Sequence, residues 1–454
     1  MSVNLLDKYN VPAPRYTSYP TVPYWQKEPP TAEEWIRAVR DAFRQNDEIS
    51  LYIHLPYCER LCTYCGCNKR ITRNHAVEGP YVDDLLREWE LYCQILPGRP
   101  VIREIHLGGG TPTFFAPEQL RRLITGILAH AEVSPRHEFG FEAHPNSTTP
   151  EHLATLYELG FRRLSIGVQD LDAEILTLIN RFQTTEQVET VTRQARELGY
   201  TSINYDLIFG LPRQTEAHIR RDMAFVAGWQ PERLAFYSYA HVPWIKPSQR
   251  AYSEADLPKG KEKRKLYELG RELLEQAGYV EIGMDHFARK SDSLYQAMSH
   301  GTLHRNFMGY TPLYTRLSIG LGASAISDTW TAFMQNEKHV EDWQARVRKG
   351  EFPIMRGHLL SWDDLVLRQH ILNIMCTMET EWHDQGDTSV ALFEGLARMD
   401  ELVADGLVVI EETQKGGRLR VTPQGRPFLR NVCLALDAHY WARQPEGRLF
   451  SEVV

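Results

Sequence analysis

A chain of 454 residues with a formal net charge of −8, 43% hydrophobic and 24% charged, has the make-up of an ordinary globular protein of two or three domains. That charge argues against binding nucleic acid by bulk electrostatics and leaves open a local basic groove for an acidic small molecule. No apolar run approaches the roughly 20 residues of a membrane span, and the start, MSVNLLDKYNVPAPRY, lacks the h-region of a signal peptide. Seven cysteines, four of them between Cys58 and Cys67, do not make a secreted disulfide framework. A cytoplasmic protein with no membrane partner is expected.

Residues 1–45 read as an arm and a helix. Prolines at 12, 14, 20 and 23 exclude a regular helix in PAPRYTSYPTVPYW, and so many aromatic rings exclude a solvated tail. The arm is expected to pack over the main domain, with Arg15 and the tyrosines helping to close a pocket. The helical pattern TAEEWIRAVRDAFRQ follows, with Thr31 placed to cap it.

Residues 46–245 alternate between strand and helix signals. β-prone runs fall at 50–55, 101–107, 138–143, 163–168, 202–209 and 233–239, with helical stretches near 79–96, 117–131, 150–159, 184–198 and 215–228. Six such repeats predict a parallel α/β sheet, too short for the eight-stranded barrel and best drawn as an open, partial (β/α)6 barrel. Such folds carry their chemistry at the C-terminal ends of the strands.

Several candidates lie at that rim. Cys58-x3-Cys62-x2-Cys65 leaves the first strand. Three closely spaced thiolates suit three corners of an iron–sulfur cube with one iron left open. A zinc site completed by Cys67 is the alternative, although no second C-x2-C knuckle follows. The second strand ends in Gly108-Gly109-Gly110-Thr111, whose backbone N–H groups are expected to serve a ligand, or which is simply a tight turn. The third ends in Glu142, the fourth in Gln169-Asp170 and the fifth in Asp206. Any one of these fits a cap or a surface residue; the repetition at one rim does not. Arg181 either pairs with a carboxylate as a planar fork or lies on the surface. Cys93, Cys376 and Cys433 sit in apolar helical patterns and read as buried hydrophobes.

After residue 245 the rhythm stops. The segment 246–350 opens with a charged helical stretch, 258–277, expected to present a solvated face. It continues into a Gly-rich strand and loop expected to return over the barrel mouth. Residues 351–454 read as mainly helical and end in a winged-helix-like pattern. An acidic balance with no basic recognition helix favours a structural or lid role over DNA binding.

The cysteine spacing after a strand resembles the radical S-adenosylmethionine (SAM) superfamily. Longer matches make the chain similar to the oxygen-independent coproporphyrinogen III oxidase (dehydrogenase) family of haem biosynthesis. They include RYTSYPT at 15–21, YIHLPYC at 52–58 with CGC at 65–67, GGGTPT at 108–113, SIGVQD at 165–170 and YDLIFGLP at 205–212. Others are GMDHFA at 283–288, LHRNFMGYT at 303–311, GLGASAIS at 320–327 and RNVCLALD at 430–437.

The resemblance implies a [4Fe–4S] cluster on Cys58, Cys62 and Cys65, with Cys67 off it, and SAM on the open iron with a second SAM nearby. Tyr52, Tyr64, Gly109, Gly110, Thr111, Glu142, Gln169, Arg181, Asp206, Ala240 and Ile326 would line those sites. It implies anaerobic oxidative decarboxylation of two propionates of coproporphyrinogen III to vinyl groups, giving protoporphyrinogen IX. An electron donor such as a flavodoxin-type protein is expected, and a monomer. A haem chaperone or a porphyrin methyltransferase of the same superfamily is the alternative. His54 is expected on the substrate side of the cluster, and Arg15, His241, Arg289, His304 and Arg305 at the substrate carboxylates. The chain departs from the family at Pro312-Leu313-Tyr314, where a Thr-Gln pair is usual.

Overall fold

The computed structural model describes residues 5–244, 246–383, 389–445, 450, 451 and 453. Its centre is a run of parallel strands: β1 (Glu48–Leu55), β2 (Val101–Gly109), β3 (Glu132–Ala143), β4 (Phe161–Gln169), β5 (Ser202–Phe209) and β6 (Arg233–Ser238). They lie side by side in sequence order. Between them run the helices Glu78–Ile95, Pro117–Leu128, Pro150–Glu158, Thr185–Leu198 and Glu216–Trp229. The six expected repeats are present, and the helices bury their apolar faces against the sheet (Leu85, Trp89, Leu123, Ile127, Leu156 and Val226 are fully covered). Each such side chain contributes about 1.5–3 kcal/mol. Helix Ala32–Gln45 starts on the Thr31–Glu34 capping box and plants Trp35 and Val39 in the same core.

The chain beyond β6 differs from expectation. Instead of folding wholly over the mouth, it extends the sheet at both edges. On one side β7 (Tyr279–Gly283) and β8 (His286–Arg289) add an antiparallel pair to β6. On the other, β9 (Leu317–Leu321) joins β1 as a seventh parallel strand. Strands β10 (Ile326–Asp328), β11 (Ala332–Asn336) and β12 (Ile354–Leu359) continue it, giving twelve strands in all. Both edges of an open sheet present unpaired backbone groups, and these strands satisfy them. The hairpin His304–Asn306/Gly309–Thr311 stands apart from the sheet. The charged helix Gly260–Gln276 is not merely a solvated face, since Leu266, Tyr267, Gly270 and Leu274 are buried.

The last hundred residues combine helices Trp362–Thr377, Val390–Ala397 and Leu429–Leu436 with a three-stranded antiparallel sheet, 379–383, 416–421 and 408–413. The arm packs both here and on the sheet, where Trp25 stacks on Phe333 of β11 (5.3 Å) and Arg15 pairs with Asp285. Tyr9, Tyr16 and Tyr19 share a hydrophobic cluster with Leu367, Val432 and Leu436. Arg430 donates to the carbonyls of Ala13 and Pro14, and the Tyr16 hydroxyl donates to Asp437 (3.1 Å). A proline-rich segment cannot pair its own carbonyls, so side-chain donors from the C-terminal helix take them.

Candidate active site

The cysteine loop departs from the C-terminal end of β1 and is tied down along its length. Thr63 N–H donates to the Ile179 carbonyl (2.9 Å), and Asn180 Nδ2 to Leu61 (2.6 Å). Lys246 Nζ donates to the Gly66 carbonyl (2.9 Å) and Lys69 Nζ to that of Cys65 (3.2 Å). These bonds leave the sulfurs turned to a common space. Cys58, Cys62 and Cys65 are half-buried and Cys67 exposed, and all four line a cavity of about 1080 Å³.

The glycine run has a different task from the one its sequence suggests. Gly110 N–H donates to the Leu55 carbonyl (2.8 Å) and Thr111 N–H to that of Tyr57 (3.0 Å). These two N–H groups therefore hold the start of the cysteine loop and are not free for a ligand. A Cβ at Gly110 would stand 2.6 Å from the Pro56 backbone, and Gly109 has φ +110° where a Cβ would stand 2.6 Å from the His54 ring, so close approach and a left-handed backbone both require glycine there. The Thr111 hydroxyl lies 3.2 Å from Cys58 Sγ.

Charges around the sulfurs are specific. The Cys58 thiol is pushed up to about 11 by burial. Cys67 donates to Cys65, which lowers the Cys65 thiol and raises that of Cys67. Arg181 is buried rather than on the surface. Its Nη1 donates to the Tyr64 hydroxyl (3.1 Å) and lies 3.8 Å from Cys62 Sγ, its Nε donates to Gln183 (2.7 Å), and its Nη2 donates to the Gly167 carbonyl.

Glu142 closes β3 with Oε1 3.4 Å from His106 Nε2. Asp206 accepts from Ser165 Oγ and Asn204 Nδ2 (both 2.9 Å). Burial and the nearby Glu142 push its carboxyl up to about 6. Gln169 (at φ +68°) and Ala240 also line this cavity. Its other end is closed by two ion pairs, Arg163–Glu138 (3.0 Å) and Arg233–Asp292 (2.6 Å).

A second cavity of about 500 Å³ holds Tyr52 and Ile326 and shares Cys67, Gly109 and Glu142 with the first. The named positions thus divide: Tyr64, Gly110, Thr111, Gln169, Arg181, Asp206 and Ala240 line the first cavity only. Leu313 and Tyr314, from the departure, line the second.

His54 lines the second cavity and is held by the fold at both ring nitrogens. Burial lowers it to about 4, so it is neutral. The Asn68 carbonyl can only accept, so Nε2–H donates to it (2.9 Å), and Nδ1 accepts from the Tyr52 hydroxyl (3.1 Å). Its ring fastens the end of the cysteine loop to β1.

Of the five proposed carboxylate partners, only His304 reaches the second cavity. Arg15 is paired with Asp285 and lines a separate space of about 680 Å³ next to Arg430. Arg305 lies over the Tyr310 ring (4.5 Å) and donates to the Arg15 carbonyl (3.2 Å). His241 bonds the Tyr239 hydroxyl (3.1 Å) outside the cavity lining. Arg289 ends a strand antiparallel to β6, which carries it to the opposite end of the barrel, where it donates to Gln230 (2.7 Å).

The sequence reading missed Ser165, Asn204 and Tyr237. Asn204 and Asp206 are two apart in a strand and so share a face. Polar residues at that spacing inside an apolar run were the available signal.

A sulfur-ligated loop at the strand ends of an open α/β barrel, with carboxylates and a buried arginine around it, defines a radical SAM enzyme. The radical SAM superfamily profile matches residues 52–226. The chain is 37% identical over 443 residues to an oxygen-independent coproporphyrinogen III oxidase of Pseudomonas aeruginosa, covering 96% of this chain and 95% of that one. With the Synechocystis protein of the same name it shares 32% over 462 residues (100% and 98%). The solved coproporphyrinogen III oxidase of Escherichia coli, described as a radical SAM enzyme, superposes with a TM-score of 0.87 at 35% identity, over 94% of this chain and 97% of that one. The chain belongs to the oxygen-independent coproporphyrinogen III oxidase family. A [4Fe–4S] cluster and SAM are therefore its cofactors. The donor set fits them: three half-buried thiols on one anchored loop, opening on a cavity lined by Glu142, Arg181 and Asp206.

Proposed function

We propose that this protein converts coproporphyrinogen III to protoporphyrinogen IX without oxygen, turning two propionates into vinyl groups. The observation that carries the reading is the extent of the likeness. The superfamily profile covers 52–226 alone, whereas identity with the oxidases runs through the arm, the added sheet strands and the C-terminal unit as well.

Cys58, Cys62 and Cys65 hold the cluster in this reading, and Cys67 does not. When bound, the cluster and SAM would supply a 5′-deoxyadenosyl radical to remove a β-hydrogen from a propionate, the carboxylate then leaving as carbon dioxide and one electron passing to an external one-electron acceptor. The chain's own residues bind and orient. Glu142 is suited to an ammonium, Arg181 to a carboxylate and Asp206 to a ribose diol. Tyr52, Gly109, Ile326, Tyr64, Gly110, Thr111, Gln169 and Ala240 complete the walls for SAM, with two adjoining cavities offering room for two molecules. The sheet and hairpin shield these walls from water, which strengthens each charge contact. A flavodoxin-type donor supplies the electron.

The test is an anaerobic turnover assay on reconstituted protein with reductant, SAM and coproporphyrinogen III. Loss of two carboxyl groups, with 5′-deoxyadenosine formed, is the expected result. SAM cleavage with unchanged tetrapyrrole would refute the substrate assignment.

A further inference from the structure

The second cavity carries one arginine to which the described residues give no carboxylate. Its wall holds two arginines, Arg316 and Arg368. Arg368 is matched: it pairs with Asp328, donates to the Trp330 carbonyl (2.8 Å) and lies over the Trp330 ring (4.2 Å). Arg316 has no carboxylate partner among the described residues: its side chain hydrogen-bonds the Tyr314 hydroxyl, and its Nε is buried without a hydrogen-bond partner. The remaining acids of the wall do not reach it. Glu142 sits by His106 (3.4 Å), and Glu104 is buried in β2.

A guanidinium presents donors in a planar fork that matches a carboxylate. Leaving one such N–H buried and unpaired costs about 1–3 kcal/mol, so the fold does not itself complete the fork. Arg316 lies two residues after the departure Pro312-Leu313-Tyr314: Pro312 and Leu313 are non-polar, and Thr315 is engaged with the Ser50 hydroxyl (2.8 Å). Beside it, Tyr314 stands edge-on to Trp330 (5.8 Å, 82°) and 4.7 Å from His304, forming an aromatic wall suited to a flat ligand.

We propose that Arg316 is the carboxylate receptor of the second cavity, holding an acidic arm of a ligand whose flat body lies against Tyr314 and Trp330. The inference rests on the function proposed above. A tetrapyrrole with four carboxylates is one source of such an arm, and the methionyl carboxylate of SAM is the other.

The experiment measures dissociation constants of anaerobically reconstituted holoprotein for coproporphyrin III, its tetramethyl ester and SAM, in wild type, Arg316→Gln and Arg316→Lys. The glutamine variant is expected to bind coproporphyrin III about tenfold or more weakly, the size of one charge-assisted hydrogen bond. The tetramethyl ester should bind both proteins alike, and lysine should recover part of the loss. A loss confined to SAM identifies the SAM carboxylate as the arm held by the same receptor. Unchanged affinity for both acids, in an Arg316→Gln protein with wild-type cluster absorbance and thermal midpoint, overturns the proposal. Wild-type turnover is scored separately: binding without decarboxylation refutes the function and leaves the receptor to be judged on affinity.

Discussion

Arg181 Nη1 lies 3.8 Å from Cys62 Sγ while donating to the Tyr64 hydroxyl at 3.1 Å. One buried cation thus serves a sulfur of the cysteine loop and the aromatic residue between the second and third cysteines. Arg181→Lys keeps the charge but cannot span Tyr64, Gln183 and the Gly167 carbonyl together. Loss of one or two charge-assisted bonds is worth about 1.5–3 kcal/mol each. The expected outcome is a kcat/KM about ten- to a hundredfold lower with the fold intact; activity within twofold of wild type would remove Arg181 from the site.

Single serine substitutions at Cys58, Cys62 or Cys65 are expected to abolish iron loading, because the thiolate is the ligand. Cys67→Ser is expected to keep most of the iron. Iron and acid-labile sulfide, measured after anaerobic reconstitution, separate the four variants. Equal loss in all four would favour a zinc-type site built on all four sulfurs.

Gly110→Ala tests whether the glycine run serves the loop. The added Cβ meets the Pro56 backbone at 2.6 Å, which cannot yield as a flexible side chain could. Displaced by that contact, the start of the cysteine loop should lose iron severalfold while far-UV circular dichroism stays as in wild type. Normal iron content would show that the close approach is not needed.

His358, Asp364 and His439 join the C-terminal helix end to β12 and helix 362–377. His439 Nε2 stands 2.6 Å and His358 Nε2 3.2 Å from the Asp364 carboxylate. The Asp364 carboxyl is held well below its usual range by the two imidazoles and the Ser361 N–H and hydroxyl, against the opposing effect of burial. Burial lowers the His439 imidazole, but the Asp364 carboxylate outweighs it and the net shift is upward. A raised histidine contributes stability that is full below its unfolded value of about 6.5 and is lost as pH rises through the folded value. A depressed carboxyl contributes stability present above its unfolded value of about 3.9 and lost as pH falls. The contact should therefore be strongest between about pH 4 and 6.5. Thermal midpoints of wild type and His439→Gln should differ most near pH 6 and converge as the pH rises past the raised His439 value. A gap independent of pH would show that packing alone sustains the contact.

Much of the core was legible because its signals are local. Strand and helix periodicities placed the six repeats, and a three-cysteine spacing on the loop after β1 marked the chemistry. The polar residues Glu142, Gln169 and Asp206 at successive strand ends were visible one by one, and the parallel topology carried them to one rim.

Other features depend on contacts between residues far apart in the chain. Gly110 and Thr111 give their N–H groups to Leu55 and Tyr57, more than fifty residues earlier, which no pattern in GGGT announces. His54 stands beside the cysteines in sequence, but its bonds to Asn68 and Tyr52, which make it a fastener of the loop, appear only in the fold. Arg289 was misplaced since strand direction, invisible in the sequence, decides which end of the barrel a side chain reaches. Residue types and periodicity marked the rim of the barrel and a three-thiolate loop, and the class of protein and its cofactors followed from the family resemblance of the longer motifs. Which polar groups remain free for a ligand was decided only by the tertiary structure, because every buried donor and acceptor must first be matched within the fold.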